Sequence, residues 1–206
     1  MLSGAYVVLD FETTGLSPDR GDRITEIGAV RIREGQILDR FQSLVNCNVR
    51  VPAFITAYTG ITQRMVDTAP PVGQVFRSLS QFIGDTPVVA HNAGFDQRFF
   101  VSESRHCGMQ VEVMPFICSM RVARRVYPKF QSHALGSLAS EMGLRFKGDA
   151  HRAAADAELT AQIMIRVGTE LKSKHRNLTI DSNLLHRVMK MPIKKAHDKL
   201  RALSAT

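Results

Sequence analysis

Three strand-like runs stand at the front of the chain before any helical periodicity begins, and that order restricts the fold more than any other feature. Residues 6–11 form a short apolar run that gives way to a stretch at 13–21 rich in Gly, Pro and Asp, the pattern of a buried strand followed by a turn. Residues 23–33 and 37–45 are two further strands, and Glu34-Gly35 between them is a hairpin turn. The three predict an antiparallel meander. Residues 52–71 read as irregular, with one short helix at 62–66. Helical spacing then appears at 71–83, where Val72, Val75, Phe76, Leu79 and Phe82/Ile83 recur on one face behind a Pro start. A short buried strand at 87–90 follows, and Asn92 or Ala93 opens a helix carrying Phe95, Phe99 and Phe100. Further helices are expected at 119–126, at 135–142 and, Ala-rich with Leu159, Ile163 and Val167 on one stripe, at 152–171. Strands alternating with helices after a meander imply an α/β domain with a mixed sheet.

Composition sets the class and the compartment. The 206 residues are 44% hydrophobic and 22% charged, which suits one globular domain with an appendage. The apolar run at 5–9 is too short for a signal segment or a membrane span and is closed by Asp10, and no stretch of about 18 apolar residues follows. Cys47, Cys107 and Cys118 are odd in number and widely spaced, without a CxxC pair, as expected of reduced thiols in a cytoplasmic protein. The formal charge of +8 is unevenly placed: residues 171–206 hold 9 of the 27 Lys+Arg and only 2 of the 19 Asp+Glu. The body is therefore nearly neutral and the tail basic. Residues 1–171 are expected to be the main domain. Residues 172–206 are expected to be a basic, helical C-terminal extension that begins with a polar linker at 172–180. Its apolar stripes are Leu184, Leu185, Val188 and Met189, then Ile193, Ala196, Leu200 and Leu203.

Four carboxylates and one histidine could carry chemistry. Asp10 and Glu12 are two apart on an otherwise apolar strand, so both point to the same face. Unpaired, such neighbours repel and one takes up a proton; a bound divalent cation makes both ionised forms favourable. Asp96 and Asp156 each fall in the first turn of a helix, where the macrodipole favours an anion. First-turn acids also simply support helices, so neither identifies a site alone. His151 precedes Asp156 by five residues, on the loop entering the helix, and a histidine there can accept a proton from water. Such a loop is expected to tighten only when substrate is present. Together the five fit phosphodiester hydrolysis by two divalent cations, and hard oxygen ligands select Mg²⁺ or Mn²⁺ over zinc.

In order and spacing, DFETTG (10–15), AHNAGFD (90–96) and HRAAAD (151–156) resemble the three exonuclease motifs of the DEDDh family, with a likeness to the proofreading (epsilon) subunit and domains of bacterial DNA polymerase III. The resemblance covers residues 5 to about 168. It implies a ribonuclease H-like fold, with a mixed five-stranded central sheet flanked by helices, and a 3′→5′ exonuclease releasing nucleoside 5′-monophosphates. Asp10, Glu12, Asp96 and Asp156 would be the ligands of two cations and His151 the general base. It further implies substrate contacts at Thr13 and Leu16 after the first motif, at Thr59 and Ile61 in TGIT (59–62), and at Asn92. Ordinary packing is an equal alternative for Leu16 and Ile61. The Thr-Thr-Gly after Glu12 resembles the polymerase-associated branch, so single-stranded DNA 3′ ends are favoured. The alternative is an exoribonuclease trimming RNA ends, as ribonuclease T and oligoribonuclease do. By the same resemblance, a polymerase subunit could be held through the C-terminal extension.

Overall fold

The computed structural model describes residues 1–109, 115–146 and 150–205. The meander forms as the sequence predicts. Strands β1 (Ala5–Thr13), β2 (Ile24–Arg33) and β3 (Gln36–Leu44) pair antiparallel in succession. Glu34 and Gly35, between Arg33 and Gln36, both have positive φ, 51° and 77°, which is the two-residue turn that keeps strand twist matched across a hairpin. β4 (Val88–Ala90) joins the other edge of β1 in parallel, and β5 (Ile117–Cys118) joins β4, giving the order β3-β2-β1-β4-β5. The sheet is thus mixed and five-stranded, with β1 at its centre. β5 has only two residues, too few for a period-2 pattern to be visible beforehand.

The helices divide between the faces of the sheet. Helices α3 (Val72–Ile83) and α4 (Gly94–His106) lie against the face that carries Phe11, which stacks on Phe76, which in turn meets Phe100. Helix α7 (Ala153–Lys174) covers the opposite face along β1 and β2, and Leu159, Ile163 and Val167 are buried as expected. Gly28 makes that approach possible. It pairs with Asp10 across the strands, and a Cβ built on it would lie 2.2 Å from the backbone of Ala153 in the first turn of α7. Only a residue without a side chain lets the helix start lie on the strand.

Two segments differ from the sequence expectation. A helix, α1 (Ala53–Thr59), precedes the expected short one, α2 (Gln63–Asp67), for which Thr62 supplies the N-cap. α1 is only seven residues long and turns Phe54 and Tyr58 outwards, with Ile55 alone of its large side chains packed on an apolar cluster, so its periodic signal is short and does not point to the main core. The stretch at 172–180 is not a free linker. α7 runs through Lys174, His175 is buried, and the buried Ile180 accepts backbone and phenol hydrogen bonds from Ser3 and Tyr6 through its carbonyl. Beyond it, α8 (Ser182–Lys190), capped by Asp181, and α9 (Ala196–Ser204) place Leu184, Leu185, Val188, Met189, Ala196 and Leu200 in the same apolar core as the sheet. They pack on α5 (Ser119–Val126), whose Arg125 donates to the Met191 carbonyl. Helix α6 (Leu135–Glu141) packs on α7. No helix among the described residues is long and apolar enough to cross a membrane, and the three cysteines are free thiols.

Candidate active site

β1 outruns its parallel neighbour. β4 pairs with it only at Val7 and Val8, so Asp10 and Glu12 emerge where one side of the strand is open. Both lie on the α7 face, as their cross-strand partners Gly28 and Glu26 show by their contacts with Ala153. The first turn of α7 brings Asp156 onto the same spot, and carboxylate oxygens of Asp10, Glu12 and Asp156 lie within 4.8 Å of one another. Asp96, in the first turn of α4, stands outside that triangle. It is buried, takes backbone N–H groups of its own residue and of Phe11, and lies near enough to act on Asp10 by charge.

The electrostatics of this group are those of crowded carboxylates short of a counter-charge. Burial, followed by the charges of Asp96, Asp156, Glu12 and Glu26, pushes the Asp10 carboxyl well above the ordinary range. Burial, then Asp156 and Glu26, raises Glu12 to about 8. Burial raises Asp96 to about 8 and Asp156 to about 6. Oδ1 of Asp156 is buried without a hydrogen-bond partner. Leaving such an oxygen unpaired is costly, and a cation is what a convergent set of hard oxygens satisfies. The residues therefore fit a divalent metal.

His151 enters α7 at a positive φ of 62°, and its backbone N–H points to the Asp156 carboxylate and favours its charged form. Its ring lies against that of Tyr58, with centroids 3.9 Å apart. The loop expected to be loose without substrate thus already holds its ring. Burial, then the charges of Glu12 and Asp156, raises the Tyr58 phenol, which places this α1 residue at the rim of the carboxylates. Tyr58 is 61% exposed.

The remaining expected residues separate. Leu16, 79% exposed, is free to meet a ligand. Asn92 is exposed at a positive φ of 62° just before α4. Thr13 is buried and spends its hydroxyl on the Gly15 carbonyl at 2.6 Å. Thr59 is buried, donating to the Ile55 carbonyl and accepting from the Ile61 N–H. Ile61 is fully buried with Cys47, Val51 and Val66 in a small second apolar cluster. Neither Thr59 nor Ile61 presents its side chain to a ligand in this structure. The outward-facing positions of this region are instead Phe54 and Tyr58 of α1.

Sequence reasoning missed Glu26. It is fully buried on β2 directly opposite Glu12, and it receives Arg152, Gln42 and the Ala153 N–H. The available signal was an acidic residue in the apolar run Ile24–Val30, in register with the Asp10–Glu12 pair.

A mixed five-stranded sheet flanked by helices, in this order, is the fold of ribonuclease H-like exonucleases. The family described as Exonuclease (RNase_T) matches residues 7–164, and the chain belongs to that family of nucleases. The 3′-5′ exonuclease DinG of Bacillus subtilis is 38% identical over 167 residues, covering 81% of this chain and 18% of that protein. A PolC-type DNA polymerase III of Clostridium perfringens is 38% identical over 159 residues, covering 77% of this chain and 11% of the other. The chain thus spans less than a fifth of the length of these relatives. Among solved structures, Exonuclease X in complex with 5′ overhanging duplex DNA superposes with a TM-score of 0.65 at 27% identity, covering 80% of this chain and 91% of that one. The nuclease domain of 3′hExo, a DEDDh family member bound to rAMP, shares the fold with a TM-score of 0.72 at 20% identity, covering 82% and 93%.

Proposed function

We propose that the chain is a metal-dependent 3′→5′ exonuclease that hydrolyses the terminal phosphodiester bond of single-stranded DNA and releases nucleoside 5′-monophosphates. The observation that carries this reading is the convergence of Asp10, Glu12 and Asp156, with one buried Asp156 oxygen unpartnered, beside His151. Asp96 completes the set of ligands for two cations, Mg²⁺ or Mn²⁺. When bound, the cations neutralise the phosphodiester charge and acidify the attacking water. His151 accepts the proton of that water as its oxygen bonds to phosphorus, the bond to the 3′ oxygen breaks, and the departing oxygen takes up a proton from solvent. Asp156 keeps the His151 loop close through the backbone N–H it faces. Leu16 and Tyr58, both exposed, flank the terminal base, because an apolar or aromatic face stacks on any base without reading its identity. Asn92, exposed at the mouth of α4, meets the sugar-phosphate. DNA is favoured over RNA because the relatives named above include a DNA polymerase.

On the same reading, residues 172–206 hold a polymerase subunit. Many of their apolar side chains serve the core, and Arg187, Lys190 and Lys199 line an outward groove with Met191, Ala202 and Leu203. Charge reversal of these three should abolish co-purification with such a subunit while leaving nuclease turnover intact.

The test of the activity uses 5′-labelled single-stranded DNA and RNA of one sequence, incubated with Mg²⁺, Mn²⁺ or EDTA. Progressive shortening of the DNA from its 3′ end, lost in EDTA, is expected. No metal-dependent shortening of either strand sinks the enzyme assignment, and faster trimming of RNA sinks the choice of DNA.

A further inference from the structure

His151 stands in a left-handed backbone position, one that a residue with a Cβ keeps only where its surroundings over-determine it. The surroundings that do so begin with the next residue. Arg152 gives Nε and Nη2 to the two oxygens of Glu26, at 3.0 and 2.7 Å. Ala153 donates its backbone N–H to Glu26 Oε2 at 3.1 Å, so the same carboxylate also closes the start of α7. Gln42 on β3 donates to Glu26 Oε1 at 2.9 Å, so the receiving carboxylate is itself held from a third element. Glu26 is fully buried, and two residues along its strand Gly28 lets Ala153 lie on the sheet. On the far side of the anchor, the His151 ring rests on Tyr58. The histidine thus turns on a short arm whose base is fixed by a two-pronged charged pair and whose tip leans on an aromatic ring.

We propose that Glu26 and Arg152 are positioning residues: their paired anchor fixes the backbone from which His151 projects and so holds its imidazole beside Asp156 for proton transfer. This rests on His151 being the base, as argued above. Glu26 touches no reacting atom; its charge also bears on Asp10 and Glu12, and the His151→Ala background separates that effect from the one carried through the loop. A guanidinium fork matched to a carboxylate fixes orientation as well as distance, whereas an ammonium supplies charge alone. Arg152→Lys should therefore retain charge and lose aim.

The experiment uses the full chain and compares Glu26→Gln, Arg152→Gln and Arg152→Lys, each in the native and His151→Ala backgrounds. Turnover on a single-stranded oligonucleotide with Mg²⁺ is read beside the histidine ring signals by NMR without metal. In the native background kcat should fall about 10–100-fold with KM little changed, the usual cost of a misplaced catalytic group. In the His151→Ala background the same substitutions should cost no more than about twofold, because residues that act through one another are not additive. Arg152→Lys should fall between native protein and Arg152→Gln. The His151 ring signals, displaced by the Tyr58 ring in the native chain, should move to free-histidine positions in Glu26→Gln. Equal losses in both backgrounds, a change in KM alone, or unmoved ring signals overturn the proposal. If the native chain shortens no substrate, the proposed function fails, and the ring signals still decide whether the anchor orients His151. If Glu26→Gln does not fold, Arg152→Gln carries the test, since it leaves Glu26 its Gln42 and Ala153 donors.

Discussion

Glu12 and Glu26 face each other across β1 and β2, on the same side of the sheet, yet they are treated in opposite ways. Burial acts to raise both. At Glu26 the hydrogen bonds of Arg152, Gln42 and Ala153 and the Arg152 charge outweigh it and hold the carboxyl below its usual range. At Glu12 the Arg152 charge opposes it but does not prevail, and burial, then the charges of Asp156 and Glu26, raises the carboxyl to about 8. One carboxylate is structural because its donors are supplied by the protein. The other remains chemically available because they are not. Burial alone does not distinguish a structural acid from a ligand; what matters is whether the protein itself satisfies the oxygens.

The sharpest way to break the comparison is on the unsatisfied side. Asp10→Asn should reduce metal-dependent turnover by about 10³-fold or more, given that a catalytic cation supplies several kcal/mol at the transition state. Circular dichroism of that variant should match the native protein, and wild-type turnover would remove Asp10 from the ligands. His151→Ala should slow turnover by about 10²–10⁴-fold, the size of a general-base contribution; an unchanged rate excludes it from proton transfer. On the satisfied side, Glu26→Ala should cost about 2 kcal/mol in denaturant unfolding, less than the roughly 3–5 kcal/mol of a fully buried pair, since the Arg152 side chain keeps 30% exposure and can rehydrate. Glu12→Gln should do the reverse. It removes a carboxyl that must take up a proton on folding and should stabilise the metal-free chain at neutral pH by about 1 kcal/mol or more. A loss of stability there would mean that Glu12 has donors of its own.

The raised carboxyls also set a pH dependence. A carboxyl whose pKa is raised on folding holds a proton in the folded chain that the unfolded chain has released. Metal-free stability should therefore decline as pH rises from about 4 towards about 8, the range set by Asp96, Glu12 and Asp156. Glu26, held low, contributes in the other sense, with stability present above its unfolded pKa and lost as pH falls through the folded one. Saturating Mg²⁺ should flatten the decline, because cations displace the protons. Thermal midpoints with EDTA and with Mg²⁺ across that range check it, and a midpoint that climbs with pH in EDTA would contradict the raised carboxyls.

What was legible in the sequence follows from the range over which each signal acts. The meander and α3 were legible because apolar spacing is local. Asp10 and Glu12 stood out because two acids interrupt an apolar strand at same-face spacing. The family was legible because three motifs recur in order, whereas the first-turn acids Asp96 and Asp156 said little singly. α1 was missed because it is short and its largest side chains face outwards, and β5 because two residues hold no period. Glu26 was passed over because its partner Arg152 is remote in the chain and only the fold brings them together. The burial of Thr59 and Ile61 was likewise invisible, since the same TGIT sequence suits a packed turn and a binding segment alike.

The candidate ligands come from the first strand, from α4 and from the start of α7, so they are distributed over most of the chain. Synthesis proceeds from the N-terminus, and a nascent chain that has emerged only as far as α6 has Asp10 and Glu12 but neither Asp156 nor His151. An unfinished or truncated copy therefore lacks two of the five residues on which the proposed hydrolysis depends. The candidate set is completed late, with the helix that also closes the core.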